Sequence, residues 1–251
     1  MFDIVLNSPA FVIYLETLAP ERKDFFSTNI VNAGFTDMRI FPGVNARNET
    51  ELNEAMALFP GIKFDKDALI GQIGCTLSHL KVLKHIINNK IPISTIFEDD
   101  VHFHPQWKEL APRFFENTPS NFDVIFAGNQ IENPEKTPRI SKAHCFCMHT
   151  YIVTLQGAHR LLNSILNWDY QNFHKFHEEF EKTGLLTIDI IIKDIQERIS
   201  KKQEEQKFIW YCWNGTKHPC EFNKLPLKGI QVRNSGLVFQ SDKFISNIFQ
   251  Y

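Results

Sequence analysis

The chain reads as an α/β domain with a mostly parallel, twisted central sheet flanked by helices. Three observations lead there. Short apolar runs rich in Val, Ile and Phe alternate with segments whose apolar residues recur at helical spacing. The stretch from Phe11 to Phe41 has the strand–helix–strand order and the length of a βαβ unit. The 251 residues are 43% hydrophobic and 22% charged, ordinary values for a protein that buries a core.

Phe11-Val12-Ile13-Tyr14-Leu15 is the first expected strand. Pro20 then opens a helix, since its fixed φ suits a first turn, and Gly34 stops it. Met38-Arg39-Ile40-Phe41 is a second strand, ended by Pro42-Gly43. Residues 44–70 are polar and irregular, with a helical patch from Glu51 to Leu58. Leu77, Leu80, Leu83, Ile86 and Ile87 define a clear helix, with Lys81, Lys84, His85 and Asn88 on its polar stripe, and Asn88-Asn89-Lys90 ends it. Ile93 to Phe97 is a buried strand, and Phe122 to Gly128 another. Thr150 to Thr154 continues the pattern as a strand, Gly157 to Leu166 as a helix. Ile188, Ile191, Ile192, Ile195 and Ile199 mark a last amphipathic helix, followed to Lys207 by a charge-rich tract read as a solvated helix face or loop. Residues 208–251 show no strong period.

The formal net charge is −2 and the pI near 6.6, which argues against a nucleic-acid partner. The N-terminal residues lack a basic segment followed by a long apolar one, and no run is long enough to cross a bilayer. The five cysteines have no zinc-knuckle spacing and read as thiols in a reducing compartment. Asn214-Gly215-Thr216 fits a glycosylation sequon that a protein without a leader would not use. The expectation is a soluble, cytoplasmic protein.

Chemistry concentrates in two places. Glu98-Asp99-Asp100 ends the apolar run from Ile93, and strand ends are where open α/β sheets place ligands. Side chains alternate along a strand, so Glu98 and Asp100 are expected on one face and Asp99 on the other. Like charges about 4 Å apart repel by about 4 kcal/mol at an effective dielectric near 20. A hard divalent cation with oxygen ligands would offset that repulsion. A solvated acidic turn accounts for the tripeptide equally well. The second place is Gly71-Gln72-Ile73-Gly74-Cys75-Thr76-Leu77-Ser78-His79, which is expected to precede and open the amphipathic helix. Its glycines permit close approach of a ligand, and a helix N-terminus offers N–H groups to a diphosphate. His79 falls on the inward stripe with Val82, Leu83 and Ile86, where a hydrogen-bonded core histidine is the plainer reading.

Taken together, Gly74-Cys75-Thr76-Leu77-Ser78-His79 and Ile96-Phe97-Glu98-Asp99-Asp100-Val101 resemble the paired motifs of glycosyltransferase family 25, with Thr76 and Phe97 in place of the commoner Ala and Leu. That family includes lipooligosaccharide and collagen-type galactosyltransferases. Tyr14-Leu15 with Arg22, Phe41 to Ala46, Tyr151 to Ala158 and Thr187-Ile188-Asp189 are similar to further family segments. Gln240-Ser241-Asp242 is a looser match to its closing region.

The resemblance implies a single GT-A-like domain over residues 1–251, with a nucleotide-sugar half to about 130 and an acceptor-side half beyond. It implies a metal-dependent, inverting transfer of a hexose, galactose being the usual one, from a UDP-sugar with Mn²⁺. Glu98 and Asp100 are then the expected metal ligands, with His102 and His104 as weaker candidates for a third. Tyr14, Arg22, Gly74, Ser78, His79, Asp99 and Gln130 are expected around the donor. Asp189 is expected to act as the base on the acceptor hydroxyl; without the resemblance it would be a first-turn carboxylate paired with Lys193. The expected acceptor is a glycan or lipid-linked glycan, in particular lipooligosaccharide, because the chain is short and carries neither leader nor companion domain. Such an enzyme would touch the inner membrane peripherally, through Lys201-Lys202 or through Phe244, Phe249 and Tyr251. Two other readings remain: an inactive family member that binds glycans, and a metal-dependent phosphohydrolase.

Overall fold

A computed structural model describes residues 1–62, 64, 69–131, 139–168, 187–201, 207–214 and 233–240. Lys202, Ser241, Asp242, Phe244, Phe249 and Tyr251 lie outside the described residues.

A short helix α1 (Phe2–Asn7) leads into β1 (Ala10–Tyr14), whose five residues are almost wholly buried. Helix α2 (Arg22–Ala33) ends at Gly34, which adopts φ 102°, a left-handed conformation that glycine reaches without a Cβ clash. β2 (Met38–Pro42) then pairs parallel with β1, completing the βαβ unit. Helix α3 (Glu49–Ala57) is capped by Asn48, whose side-chain oxygen accepts from the Thr50 and Glu51 amides. Helix α4 (Ile70–Asn88) buries Leu77, Leu80, Val82, Leu83 and Ile86 on one face, as its period requires.

β3 (Ile93–Glu98) pairs parallel with the other edge of β1. After β4 (Val101–Phe103) and helix α5 (Trp107–Glu116) come β5 (Val124–Ile131), β6 (Arg139–Ser141) and β7 (Phe146–Thr154). Helices α6 (Leu155–Leu166) and α7 (Ile188–Ser200) are followed by β8 (Trp210–Asn214), β9 (Arg233–Gly236) and β10 (Val238–Gln240).

The central sheet has the order β2-β1-β3-β7-β5-β8-β6, with β9 also against β5. β1, β2, β3, β5 and β8 run one way; β6, β7 and β9 run the other. The expected mostly parallel direction therefore holds, with β7 inserted antiparallel between β3 and β5. Two apolar clusters fill the molecule, one containing α4, α6 and α7 residues and the other α2 and α5 residues. Among the described residues no helix is long and apolar enough to cross a membrane.

The chain leaves β1 for β2 on one side and returns to β3 on the other, which makes a topological switch point between β1 and β3. A crevice at the carboxyl ends of such strands is the standard ligand position in open α/β sheets.

Candidate functional site

A cleft of about 730 Å³, part of it open to solvent, lies at that switch point. Ile13 and Leu15 come from the end of β1, Val44 to Arg47 from the loop after β2, and Glu98, Asp99 and Asp100 from the end of β3. The first turns of α4 form the facing wall with Gly71, Gly74, Cys75, Ser78 and His79, and Gln240 closes one side.

Both sequence motifs meet here, though not in the expected geometry. Helix α4 begins at Ile70, so Gly71 and Gly74 lie inside it rather than before it. The Leu69 amide donates to the Gln72 side-chain oxygen at 3.0 Å, which satisfies one N-terminal donor from within the helix. The bare Cα of Gly74 serves packing: a Cβ there would stand 2.7 Å from the Val44 carbonyl oxygen. Ser78 fastens the same contact, accepting from the Val44 amide at 2.8 Å and donating to the Gly74 carbonyl at 2.6 Å. Gly74 and Ser78 thus hold the loop after β2 against α4 and shape the cleft wall.

The acidic triplet also departs from simple alternation, because β3 stops at Glu98 and the next two residues turn. All three acids line the cleft and divide by partner. Arg22, buried at the start of α2, donates to Asp99 Oδ1 at 2.5 Å and lies 4.0 Å from Asp100 Oδ2. Burial pushes the Asp99 carboxyl above its ordinary value, Arg22 pulls it back, and the Glu98 charge adds to the rise. Glu98 instead faces α4. Its Oε1 lies 3.2 Å from His79 Nε2 and 4.0 Å from Cys75 Sγ, while Gln240 Nε2 donates to Oε2 at 3.1 Å. Burial works to raise the Glu98 carboxyl, but the hydrogen bond and charge of His79 outweigh it and hold it below the usual value.

The His79 ring is almost fully buried, and its Nδ1 meets the Tyr151 hydroxyl at 3.2 Å. An ionised carboxylate only accepts, so His79 Nε2 carries a proton and donates to Glu98; Nδ1 accepts from Tyr151 when the ring is neutral and donates to it when the ring is charged. Burial, then Glu98 and Cys75, push the Tyr151 hydroxyl well above its ordinary value, which keeps it protonated and able to donate. Gln240 reaches Glu98 because β10 pairs antiparallel with β4, setting Gln240 opposite Val101. That pairing is fixed from below: Leu237 N donates to Ala127 O at 2.7 Å, and His149 Nε2 donates to Val238 O at 3.0 Å.

Other expected site residues stand elsewhere. Tyr14 is not in the cleft wall; its hydroxyl donates to the Pro20 carbonyl at 3.3 Å and its ring packs on Phe26. It shapes the β1–α2 loop that presents Arg22. Gln130 sits in β5 opposite Phe146 and Asn234, with its side chain outside the described set. Asp189, in the first turn of α7, accepts from the Thr187 hydroxyl and is not in the cleft wall. Lys193, the expected helix partner of Asp189, forms an ion pair with Glu197. His104 is buried and accepts from the Gln106 amide, and neither it nor His102 lines the cleft. Sequence reasoning gave no role to Cys75 or Tyr151, although both lie inside the motif segments it singled out. Arg47 at the cleft rim carried no sequence signal.

The sequence model of "Glycosyltransferase family 25 (LPS biosynthesis protein)" matches residues 7–138, just over half of the chain. Human procollagen galactosyltransferase 2 is 29% identical over 105 residues, covering 38% of this chain and 17% of that protein. A glycosyltransferase 25 family member of Drosophila melanogaster is 25% identical over 161 residues, covering 57% of this chain and 26% of that protein. Human inactive glycosyltransferase 25 family member 3 is 27% identical over 104 residues, covering 38% of this chain and 18% of that protein. The matched part is about a quarter or less of these relatives' length.

Proposed function

Because the chain belongs to glycosyltransferase family 25, we propose that it moves a hexose, galactose in the first instance, from a UDP-sugar to a glycan acceptor by a metal-dependent, inverting transfer. The observation that carries this reading is the meeting of both motifs in one cleft at the β1–β3 switch point. A procollagen galactosyltransferase among the similar proteins supports galactose. The family's description as LPS biosynthesis supports a lipooligosaccharide acceptor. An enzyme acting on such a lipid-linked glycan would work from the cytoplasm at the inner membrane.

The donor set fits a hard cation such as Mn²⁺: Glu98 and Asp100 bring carboxylate oxygens to one cleft, and Glu98 is held in its ionised form. Glu98 and Asp100 would hold the ion, which would supply positive charge against the departing diphosphate. Arg22 offsets the charge of Asp99 and so keeps the triplet compact around the donor. Arg47, exposed at the rim, offers a second cation to the phosphates. His79, braced by Tyr151, orients Glu98. Asp189 is assigned the base that deprotonates the acceptor hydroxyl. Gln130 is assigned to the donor sugar.

The test is a panel of UDP-sugars incubated with purified protein, measuring UDP release with Mn²⁺ and with EDTA. Turnover is expected with UDP-galactose and Mn²⁺ and is expected to vanish in EDTA; Asp100→Asn is expected to weaken metal-linked UDP binding. Absence of metal-dependent turnover with every sugar, together with unchanged UDP affinity in Asp100→Asn, would overturn the reading. Similarity to an inactive relative keeps a second reading in view, a glycan-binding module, and loss of metal-linked UDP binding in the unaltered protein would favour it.

A further inference from the structure

We propose that Cys75, His79 and Glu98 form a three-donor site for a thiophilic divalent cation such as Zn²⁺, sharing Glu98 with the proposed donor-metal site and with its fourth position facing the cleft. Cys75 and His79 lie four residues apart on α4, one turn above each other on the same face. Glu98 comes to them from the end of β3. The three donor atoms all lie within 4.8 Å of one another. His79 Nε2 and Glu98 Oε1 are 3.2 Å apart, and Cys75 Sγ and the same oxygen 4.0 Å apart. A tetrahedral zinc ion with ordinary bond lengths separates such donors by roughly 3.3 to 3.6 Å, so side-chain rotations that draw the sulfur inward suffice.

The surroundings are those of a ligand set. Metal-binding histidines are typically held through the other ring nitrogen, and ligating carboxylates through a hydrogen bond to the free oxygen. Here Tyr151 meets His79 Nδ1 and Gln240 donates to Glu98 Oε2. On binding, zinc would take the Nε2 lone pair while the ring proton shifts to Nδ1 and points to Tyr151. The Cys75 thiol would lose its proton to solvent, so one proton leaves per ion bound when the His79 ring starts neutral. Thiolate and imidazole together select zinc over manganese, which prefers an all-oxygen set. All three residues line the cleft, which leaves the fourth position open to water or ligand. The binding itself does not depend on the transferase reading. If that reading holds, the two ions compete for Glu98, and zinc becomes an inhibitor.

The test uses the full chain, stripped of metal and reduced, with no nucleotide sugar present. Cobalt(II) is titrated as a spectroscopic probe, and zinc affinity is measured by competition with a chromophoric chelator. One equivalent of cobalt is expected to give a thiolate-to-cobalt charge-transfer band that zinc abolishes. Cys75→Ser and Cys75→Ala are expected to lose the band. Glu98→Gln, which keeps the thiol, is expected to weaken zinc at least tenfold. Asp100→Asn is expected to keep both the band and the affinity, and this separates the site from the proposed donor-metal site. Melting curves of each variant establish that it is folded. No band in the unaltered chain, a band that survives in folded Cys75→Ser or Cys75→Ala, or equal loss in Asp100→Asn would overturn the proposal.

Discussion

Arg22 and Asp99, 77 residues apart in the chain, meet at 2.5 Å in a buried ion pair at the back of the cleft. The pair ties the start of α2 to the end of β3, so it fixes both the floor of the cleft and the position of the acidic triplet. Removing one partner of a buried pair leaves an uncompensated charge, which commonly costs about 3–5 kcal/mol. Arg22→Met is therefore expected to lower unfolding stability on that scale, measured by urea denaturation. Arg22→Met combined with Asp99→Asn is expected to recover part of the loss; a double variant as unstable as the single one would mean the pair is not the source.

Gly74 has no room for a side chain. Its Cβ would stand 2.7 Å from the Val44 carbonyl, so Gly74→Ala must push the loop after β2 away from α4. Overpacking of this kind costs about 1–3 kcal/mol. A lower melting temperature together with weaker UDP binding is expected, because Val44 to Arg47 line the cleft. Unchanged melting would show that the loop moves freely.

Asp189, assigned as base, lies outside the cleft wall, so its substitution separates chemistry from donor binding. Asp189→Asn is expected to keep UDP affinity while kcat falls at least a hundredfold, the usual scale of general-base loss. Calorimetry reads the first quantity and steady-state UDP release the second. Equal kcat would move the base to another residue.

Glu197 supplies a pH-dependent contribution. Burial raises its carboxyl, but the Lys193 hydrogen bond and charge outweigh this and hold it below the ordinary 4.5. A lowered folded-state value gives stability that is present above the unfolded value and lost as pH falls through the folded one. Glu197→Gln is expected to cost about 0.5 kcal/mol at neutral pH, the scale of a partly solvated i,i+4 pair. The difference from the unaltered protein should shrink in acid below 4.5, and a difference independent of pH would exclude the ion pair as its cause.

Much of the first half was legible because its signals are local. The run Ile93 to Phe97, the apolar stripe of α4 and the stop at Gly34 each sit within a few residues, and each became the element it suggested. Helix α5 escaped because Pro112 lies inside it and removes a backbone donor, which weakens the helical pattern. Strands β8, β9 and β10 escaped because they are short and take their pairing from β5, β6 and β4, far away in sequence. The alternation expected through Glu98, Asp99 and Asp100 failed for a local reason as well, since the strand ends one residue before the rule would apply.

The sequence by itself determined the alternation of strands and helices, the two motifs and the family they mark, because hydrophobic period and residue spacing are properties of contiguous chain. Only the tertiary structure decided how the motif residues are used. Gln240 reaches Glu98 across 142 residues, and Tyr151 reaches His79 across 72. Those contacts arise from strand order and sheet register, which bring remote segments within hydrogen-bond distance and leave no periodic trace in either segment alone.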